Sequence, residues 1–483
     1  MADFFGPAET LEVLRGLNPW WAGRQGEVPP FRRLAYDACR LYLEEASFRR
    51  AVLLSGPRRV GKTTVLNQIA QYLVAEGHDP TSVMYLSLDH PLLKLQRLPA
   101  ILDVYHEHIR PKGPPVTLLL DEVQYASDWE LELKQLVDRA PTYRILATGS
   151  ASVAHRQRLA ESGVGRWMEV HMPTLSFYEF MHLAKADRPN VPPDLRPTDL
   201  FTASSDRLIR DTRLAFRDIQ PVFERYLLVG GFPETASSAA DVPLCQRLLR
   251  EDVVERVLKR DMTELFGIRK VGDLERLFIY LCMHTGSILA VQKCARALDA
   301  NADTVANHLE ALEQANLIYR LEPYRIGGKK VLKVRHKVYL VDAALRNAVL
   351  LRGEEILRDP DQLGVIVETA VLRHLYAYYY RDVPRVSYWR DSKTGQEVDV
   401  IVSSPAYLFP AEVKYRAKAR VSENDGIAAF CRQVGVRRAF WVTRNDEDFA
   451  VTRLPGIETD FLQVPAHIFL YLLGQAERLL WTR

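Results

Sequence analysis

The sequence predicts an α/β protein built around a parallel, doubly wound sheet. Apolar β-type runs recur at residues 51–54, 83–88, 116–120, 145–147 and 168–170, with helical stretches between them. Continuous apolar strands that alternate with helices are strands covered on both faces. The first run also leads through Gly56-Pro57-Arg58-Arg59-Val60-Gly61-Lys62-Thr63 into a helical pattern, which is a strand, a glycine-rich loop and a helix in the order a phosphate cradle requires.

With 483 residues the chain is too long for one hydrophobic core. Residues 1–50 read as a basic, amphipathic helical segment, with Asn18-Pro19-Trp20-Trp21 as a turn presenting exposed aromatics. Residues 51–182 form the nucleotide-binding core. A stretch rich in proline (Pro189, Pro192, Pro193, Pro197) then opens a linker and helical lid over 183–265. A compact helical segment with a strand pair spans 266–350, and mixed α/β patterning resumes over 351–483.

Composition excludes several classes. A charged fraction of 26% against 47% hydrophobic residues is that of an ordinary globular protein, not a disordered one. A net charge of +3 argues against a chain that coats nucleic acid, while permitting a local basic patch. Five scattered cysteines, none in a CxxC pair, indicate neither a zinc knuckle nor a disulfide framework. No signal peptide or membrane-length apolar run is present, so the expectation is a cytoplasmic protein with no membrane partner.

The loop matches G-x-x-x-x-G-K-[ST] completely. Its glycines let the loop from Gly56 through Thr63 and Thr64, in which every residue but Pro57 carries a backbone N–H, wrap around the phosphates of ATP, with the helix N-terminus adding a favourable dipole. Lys62 would reach the β- and γ-phosphates and Thr63 would hold Mg²⁺. The strand-like run Thr117-Leu118-Leu119-Leu120 leads into Asp121 and Glu122. Asp121 would bind the same Mg²⁺ through water, and Glu122 would act as general base on the attacking water. The next strand ends at Ala147-Thr148-Gly149-Ser150, placing Thr148 where a γ-phosphate sensor would sit. Arg166, after Gly165, is a candidate arginine finger for a neighbouring subunit's site; a surface ion pair is the other reading.

These motifs resemble the bacterial and archaeal AAA-type ATPases that carry a C-terminal domain of unknown function. The resemblance rests on the P-loop, Leu120-Asp121-Glu122-Val123-Gln124, the Thr-Gly-Ser turn, Leu175-Ser176-Phe177-Tyr178-Glu179-Phe180 and Gly230-Gly231-Phe232-Pro233-Glu234. It covers almost the whole chain. It implies ATP hydrolysis, a homo-oligomer such as a hexameric ring with Arg166 acting in trans, and packing of Phe232 and Pro233 near adenine. Arg59 stands where that family usually has glutamine, a change its backbone role should survive.

Residues 274–350 pattern as a winged helix. The expected parts are a helix over 289–298, a turn at 299–301, a helix from about Asp303, and wing strands at 317–321 and 331–340. The wing carries Arg320, Arg325, Lys329, Lys330, Lys333, Arg335 and Lys337 against one acid, Glu322. Of these, Arg325, Lys329, Lys330, Lys333 and Arg335 are the candidate contacts to DNA phosphates. The presumed recognition helix presents Asp303, Asn307, His308, Glu310 and Glu313, a poor set for an electronegative groove. A solvated basic hairpin on a protein-binding module is the alternative.

The tail carries carboxylates at Glu368, Asp399 and Glu412. Glu412 and Lys414 occupy alternate positions of one strand and so share a face. Such a set can hold Mg²⁺ with a lysine beside the water it activates. It resembles the restriction-endonuclease-like superfamily at Glu368, Asp399, Glu412 and Lys414. The expected function is an oligomeric ATPase acting on DNA. The alternatives are an ATP-gated, Mg²⁺-dependent nuclease and a signalling or chaperone-like ATPase with a protein-binding C-terminal half.

Overall fold

The computed structural model describes residues 6–24, 26–45, 49–149, 165–202, 205–324, 335–382 and 385–480. It divides into two compact units, Met1–Met172 with Gln314–Asn316, and Pro173–Glu313 with Leu317–Arg483.

The first unit contains five strands, β1 (Ala51–Ser55), β2 (Val83–Ser87), β3 (Val116–Asp121), β4 (Tyr143–Gly149) and β5 (Trp167–His171). All pair in parallel in the order β2-β3-β4-β1-β5. Leu53, Leu86, Leu118, Leu120 and Ala147 point into one core with Leu14, Ile101, Tyr105 and Leu133 from the covering helices. The parallel sheet covered by helices is the one the patterning predicts.

The tryptophans of the first segment are a correction. Asn18 is buried, and its side-chain amide donates to the carbonyl of Tyr85 at 2.9 Å and accepts from the Tyr85 N–H at 2.6 Å. The half-buried indoles of Trp20 and Trp21 both donate to the carbonyl of Val83, at 2.8 and 2.9 Å. The turn therefore caps the open edge of β2, whose unpaired backbone groups would otherwise invite another strand.

In the second unit the helix Phe177–Leu183 is closed at its start by a capping box between Ser176 and Glu179. The Phe177 N–H donates to Nε2 of buried His374 at 2.9 Å. The paired glycines follow from close approach: a Cβ on Gly230 (φ +74) would lie 2.5 Å from Asp342 Oδ1, and one on Gly231 2.6 Å from the Leu175 carbonyl. The Asp342 carboxylate accepts from the Gly231 N–H at 2.9 Å. The Gly-Gly-Phe-Pro and Leu-Ser-Phe-Tyr-Glu-Phe segments are thus parts of one packed joint.

The remaining strands are β6 (Ser287–Ile288), β7 (Ile318–Pro323), β8 (Lys337–Leu340), β9 (Arg385–Arg390), β10 (Glu397–Ser403), β11 (Leu408–Lys414), β12 (Arg438–Thr443), β13 (Ala450–Arg453) and β14 (Asp460–Pro465). They form one sheet, β13-β14-β12-β11-β10-β9-β7-β8-β6. Residues 266–350 and 351–483 are therefore joined through the parallel pairing of Glu322 and Pro323 in β7 with Ser387 and Tyr388 in β9. Helix Val271–Met283 precedes β6, and helices Val291–Ala297 and Ala302–Gln314 lie between β6 and β7; β6, β8 and β7 pair as an antiparallel trio. On the last of them His308 is buried, not outward-facing as its position in the pattern implied. All five cysteines are buried and free. Among the described residues no helix is long and apolar enough to cross a membrane.

Candidate nucleotide site and a buried carboxylate cluster

The loop from Gly56 to Gly61 leaves β1 at its C-terminal end and opens the helix Lys62–Ala75. Gly56 is obligatory, since a Cβ there would lie 2.1 Å from the Met172 carbonyl. Arg59 adopts φ +63, a left-handed position uncommon for a side chain other than glycine, asparagine or aspartate. From below, buried Arg33 donates to the Val60 carbonyl at 2.7 Å, and Arg58 donates to the Tyr125 hydroxyl at 2.7 Å. Neither Arg33 nor Tyr125 belongs to a sequence motif, and only their packing reveals them. The Lys62 ammonium is buried and donates to the carbonyls of Gly56 (3.0 Å) and Pro57 (2.8 Å).

The two predicted metal ligands meet. Thr63 Oγ1 donates to Asp121 Oδ2 at 2.7 Å, and the Tyr85 hydroxyl donates to the same oxygen at 3.0 Å. Burial raises the Asp121 carboxyl, the Glu122 charge raises it further, and the hydroxyls of Thr148, Thr63 and Tyr85 oppose them. Thr148 is fully buried. Its hydroxyl donates to Asp121 Oδ1 and accepts from the Glu122 N–H at 3.1 Å, so it positions both acids. Glu122 itself has φ +55 and accepts from the Gln124 amide. A glutamate in this sparsely populated region is the kind of local strain that clusters at functional sites. A hydroxyl and a carboxylate already facing one another beside a helix N-terminus fit Mg²⁺ and a triphosphate.

Arg166 lies at the start of β5, where its carbonyl accepts from the Ala51 N–H at 2.9 Å. The P-loop of the same chain begins at the other end of β1, about 16 Å away at 3.3 Å per residue. Its guanidinium pairs with Asp138 at 2.8 Å and 3.0 Å. Pro233 lies in the second unit, half-buried at the first turn of Pro233–Ser237 and next to buried Phe232. Arg325, Lys329, Lys330, Lys333 and Ser150 lie outside the described residues; Arg335 is exposed.

The C-terminal carboxylates gather around an unpredicted residue. Lys337 of β8, expected on the solvated wing, has a side chain only 2% exposed. Its ammonium lies 3.0 Å from Glu368 Oε1, 2.7 Å from Glu397 Oε1 and 2.9 Å from Asp399 Oδ1. The Tyr339 hydroxyl donates to Glu368 Oε1 at 2.6 Å. Asp399 Oδ2 accepts from the Val413 N–H at 2.9 Å, beside a register shift between Val398 and Ile401 that bends β10. Glu412 and Lys414 do share a face and pair at 2.5 Å, but the other oxygen of Glu412 accepts from the Ile427 N–H at 3.2 Å. Glu412 is thus engaged apart from the trio, and Glu397 stands in it instead. Among the described residues no three His, Cys, Asp or Glu side chains are arranged to hold a metal ion. Arg320 of the wing pairs with Glu313, and Glu322, the one acid of the wing, pairs with Arg385 of β9.

Burial, with the Asp399 charge adding to it, raises Glu368 and Glu412 to about 7 from 4.5. Asp399 is itself pushed up by burial, but the ammoniums of Lys337 and Lys414 outweigh this and hold it below its ordinary value. Between pH 4.5 and 7 the folded chain holds protons on the two glutamates that the unfolded chain has lost, so their contribution to stability grows as pH falls through this window. Glu412→Gln is expected to remove its share of that slope. Urea midpoints at pH 5.5 and 8 should show the variant gaining on the wild type at the higher pH; an unchanged difference would refute the assignment.

Residues 48–181 match the AAA domain family, and residues 220–355 and 363–462 match two domains of unknown function, DUF8612 and DUF4143. An uncharacterised protein of Haemophilus influenzae is 26% identical over 384 residues, 78% of this chain and 85% of that one. One from Methanocaldococcus jannaschii is 26% identical over 389 residues, 77% and 78% of the two chains. Among solved structures, the RuvB Holliday junction branch migration motor of Thermotoga maritima is 18% identical, covering 59% of this chain and 88% of its own at a TM-score of 0.27. AMPPCP-bound DnaA from Aquifex aeolicus is 18% identical, covering 62% and 92% at a TM-score of 0.24, and neither score carries a functional argument. With its P-loop geometry and its family match together, residues 48–181 are an AAA-type P-loop ATPase domain, followed in this chain by two domains of unknown function.

Proposed function

We propose that this chain hydrolyses ATP as an oligomer and uses the cycle to act on DNA through its C-terminal half. The observation that carries hydrolysis is the closed network Thr63–Asp121–Thr148–Glu122 at the mouth of the P-loop. When bound, Mg²⁺ neutralises phosphate charge and fixes the triphosphate. Lys62 binds the phosphates, Thr63 and Asp121 orient the metal, and Glu122 takes the proton of the attacking water.

Arg166 acts in trans in this reading, because its own P-loop lies beyond the far end of β1. Arg166→Ala is expected to slow turnover by ~10³-fold or more with ATP affinity retained. Mixing it with Glu122→Gln subunits should restore part of the activity, since some interfaces then combine an intact Glu122 with an intact Arg166. Absence of complementation would refute action in trans.

DNA engagement is supported by the order helix, β6, helix, helix, β7, β8 over residues 271–340, the element order of a winged helix, and by the basic composition of residues 325–335. Phosphate contact of this kind gives affinity without sequence readout and weakens steeply with salt. The deciding experiment is the ATPase rate with and without duplex, branched and single-stranded DNA at low salt. Stimulation by any of them supports the reading, and no binding to all three sinks it. Cleavage is not part of the reading, because Lys337 sits among the carboxylates that would have to hold the metal.

A further inference from the structure

The nuclease-like pattern at Glu368, Asp399, Glu412 and Lys414 implies a divalent cation, and the residues present do not fit one. We infer that the ammonium of Lys337 is the resident cation of this site, standing where the pattern would place a metal ion. The inference rests on the nuclease-like reading of residues 360–443.

Three features carry it. The ammonium has three N–H donors, and three carboxylates from separate positions converge on it: Glu368 on the helix Pro360–Tyr379, and Glu397 and Asp399 on β10. The contacts of 2.7–3.0 Å are those of charge-assisted hydrogen bonds, whereas Mg²⁺ draws oxygens to 2.0–2.1 Å and Ca²⁺ to 2.3–2.6 Å. The lysine is delivered by β8, which precedes the nuclease-like segment in the chain and reaches it only because β7 pairs with β9. A divalent ion placed among the same oxygens would lie against a buried positive charge, which repels it strongly where burial weakens screening. The carboxylates are therefore satisfied internally, and the domain keeps its fold with no metal and no cutting.

The test uses the full-length chain without nucleotide, with Mn²⁺ as the probe, read by the loss of its free-ion paramagnetic signal. Wild type should show no site that depends on Asp399, so wild type and Asp399→Asn bind alike. Lys337→Met should gain one Mn²⁺ per chain, lose it again in Lys337→Met/Asp399→Asn, and unfold at a higher temperature with Mn²⁺ than without it. Because removing the lysine leaves buried charge, Lys337→Met/Glu397→Gln serves as the second, less charged variant. A Mn²⁺ site in wild type that Asp399→Asn abolishes would overturn the inference while leaving the nuclease-like reading standing. Folded Lys337 variants that bind no Mn²⁺ would overturn both.

Discussion

Glu122→Gln is expected to slow ATP hydrolysis by ~10²–10⁴-fold while ATP still binds, the range a positioned general base contributes. The substitution is nearly isosteric, so the contacts proposed for Lys62, Thr63 and the loop amides with phosphate should be kept. What it removes is the carboxylate that, in the proposed reading, accepts the water's proton. The geometry around this residue is costly to maintain. Glu122 is held at φ +55, its N–H donates to Thr148, and its carboxylate accepts from Gln124. A merely solvated strand end has no need of such restraint. Single-turnover hydrolysis together with equilibrium binding of a fluorescent ATP analogue separates the two steps. Turnover near the wild-type rate would assign the base elsewhere, and lost binding would mean that Glu122 shapes the loop.

Lys337→Met should destabilise the second unit by about 3–5 kcal/mol, because breaking a buried ion cluster leaves uncompensated charge. Three carboxylates would remain around a thioether that can donate nothing to them. The loss should be smaller at pH 5.5 than at pH 8. Burial already raises Glu368 to about 7, and removing the neighbouring ammonium raises it further, so at pH 5.5 the variant carries a neutral carboxyl there. Neutralising partners along with the lysine, as in Lys337→Met/Glu397→Gln/Asp399→Asn, should recover most of the loss. Hydrogen exchange of the β10 and β11 amides reads the opening of this part directly. A Lys337→Met protein as protected as wild type would mean that the lysine contributes no net stability here.

The candidate nucleotide site is legible in the sequence because its chemistry is local. Eight consecutive residues supply the phosphate loop, a strand end supplies Asp121 and Glu122, and apolar periodicity announces the sheet that aligns them. The pairing of Glu412 with Lys414 was legible for the same reason, since alternate residues of one strand share a face. The sheet likewise confirmed all five strand positions of the first unit.

What only the tertiary structure decided lies where distant segments meet. Trp20 and Trp21 look exposed in a short polar turn, yet they close the edge of a strand more than sixty residues away. Lys337 follows a run of basic residues and reads as one more solvated wing cation. Its burial depends on β7 pairing with β9, and on Glu368, Glu397 and Asp399 arriving from an element 20 residues long and a bent strand. No local pattern encodes that a lysine will meet three carboxylates, because the free energy that buries it comes entirely from partners supplied by long-range pairing.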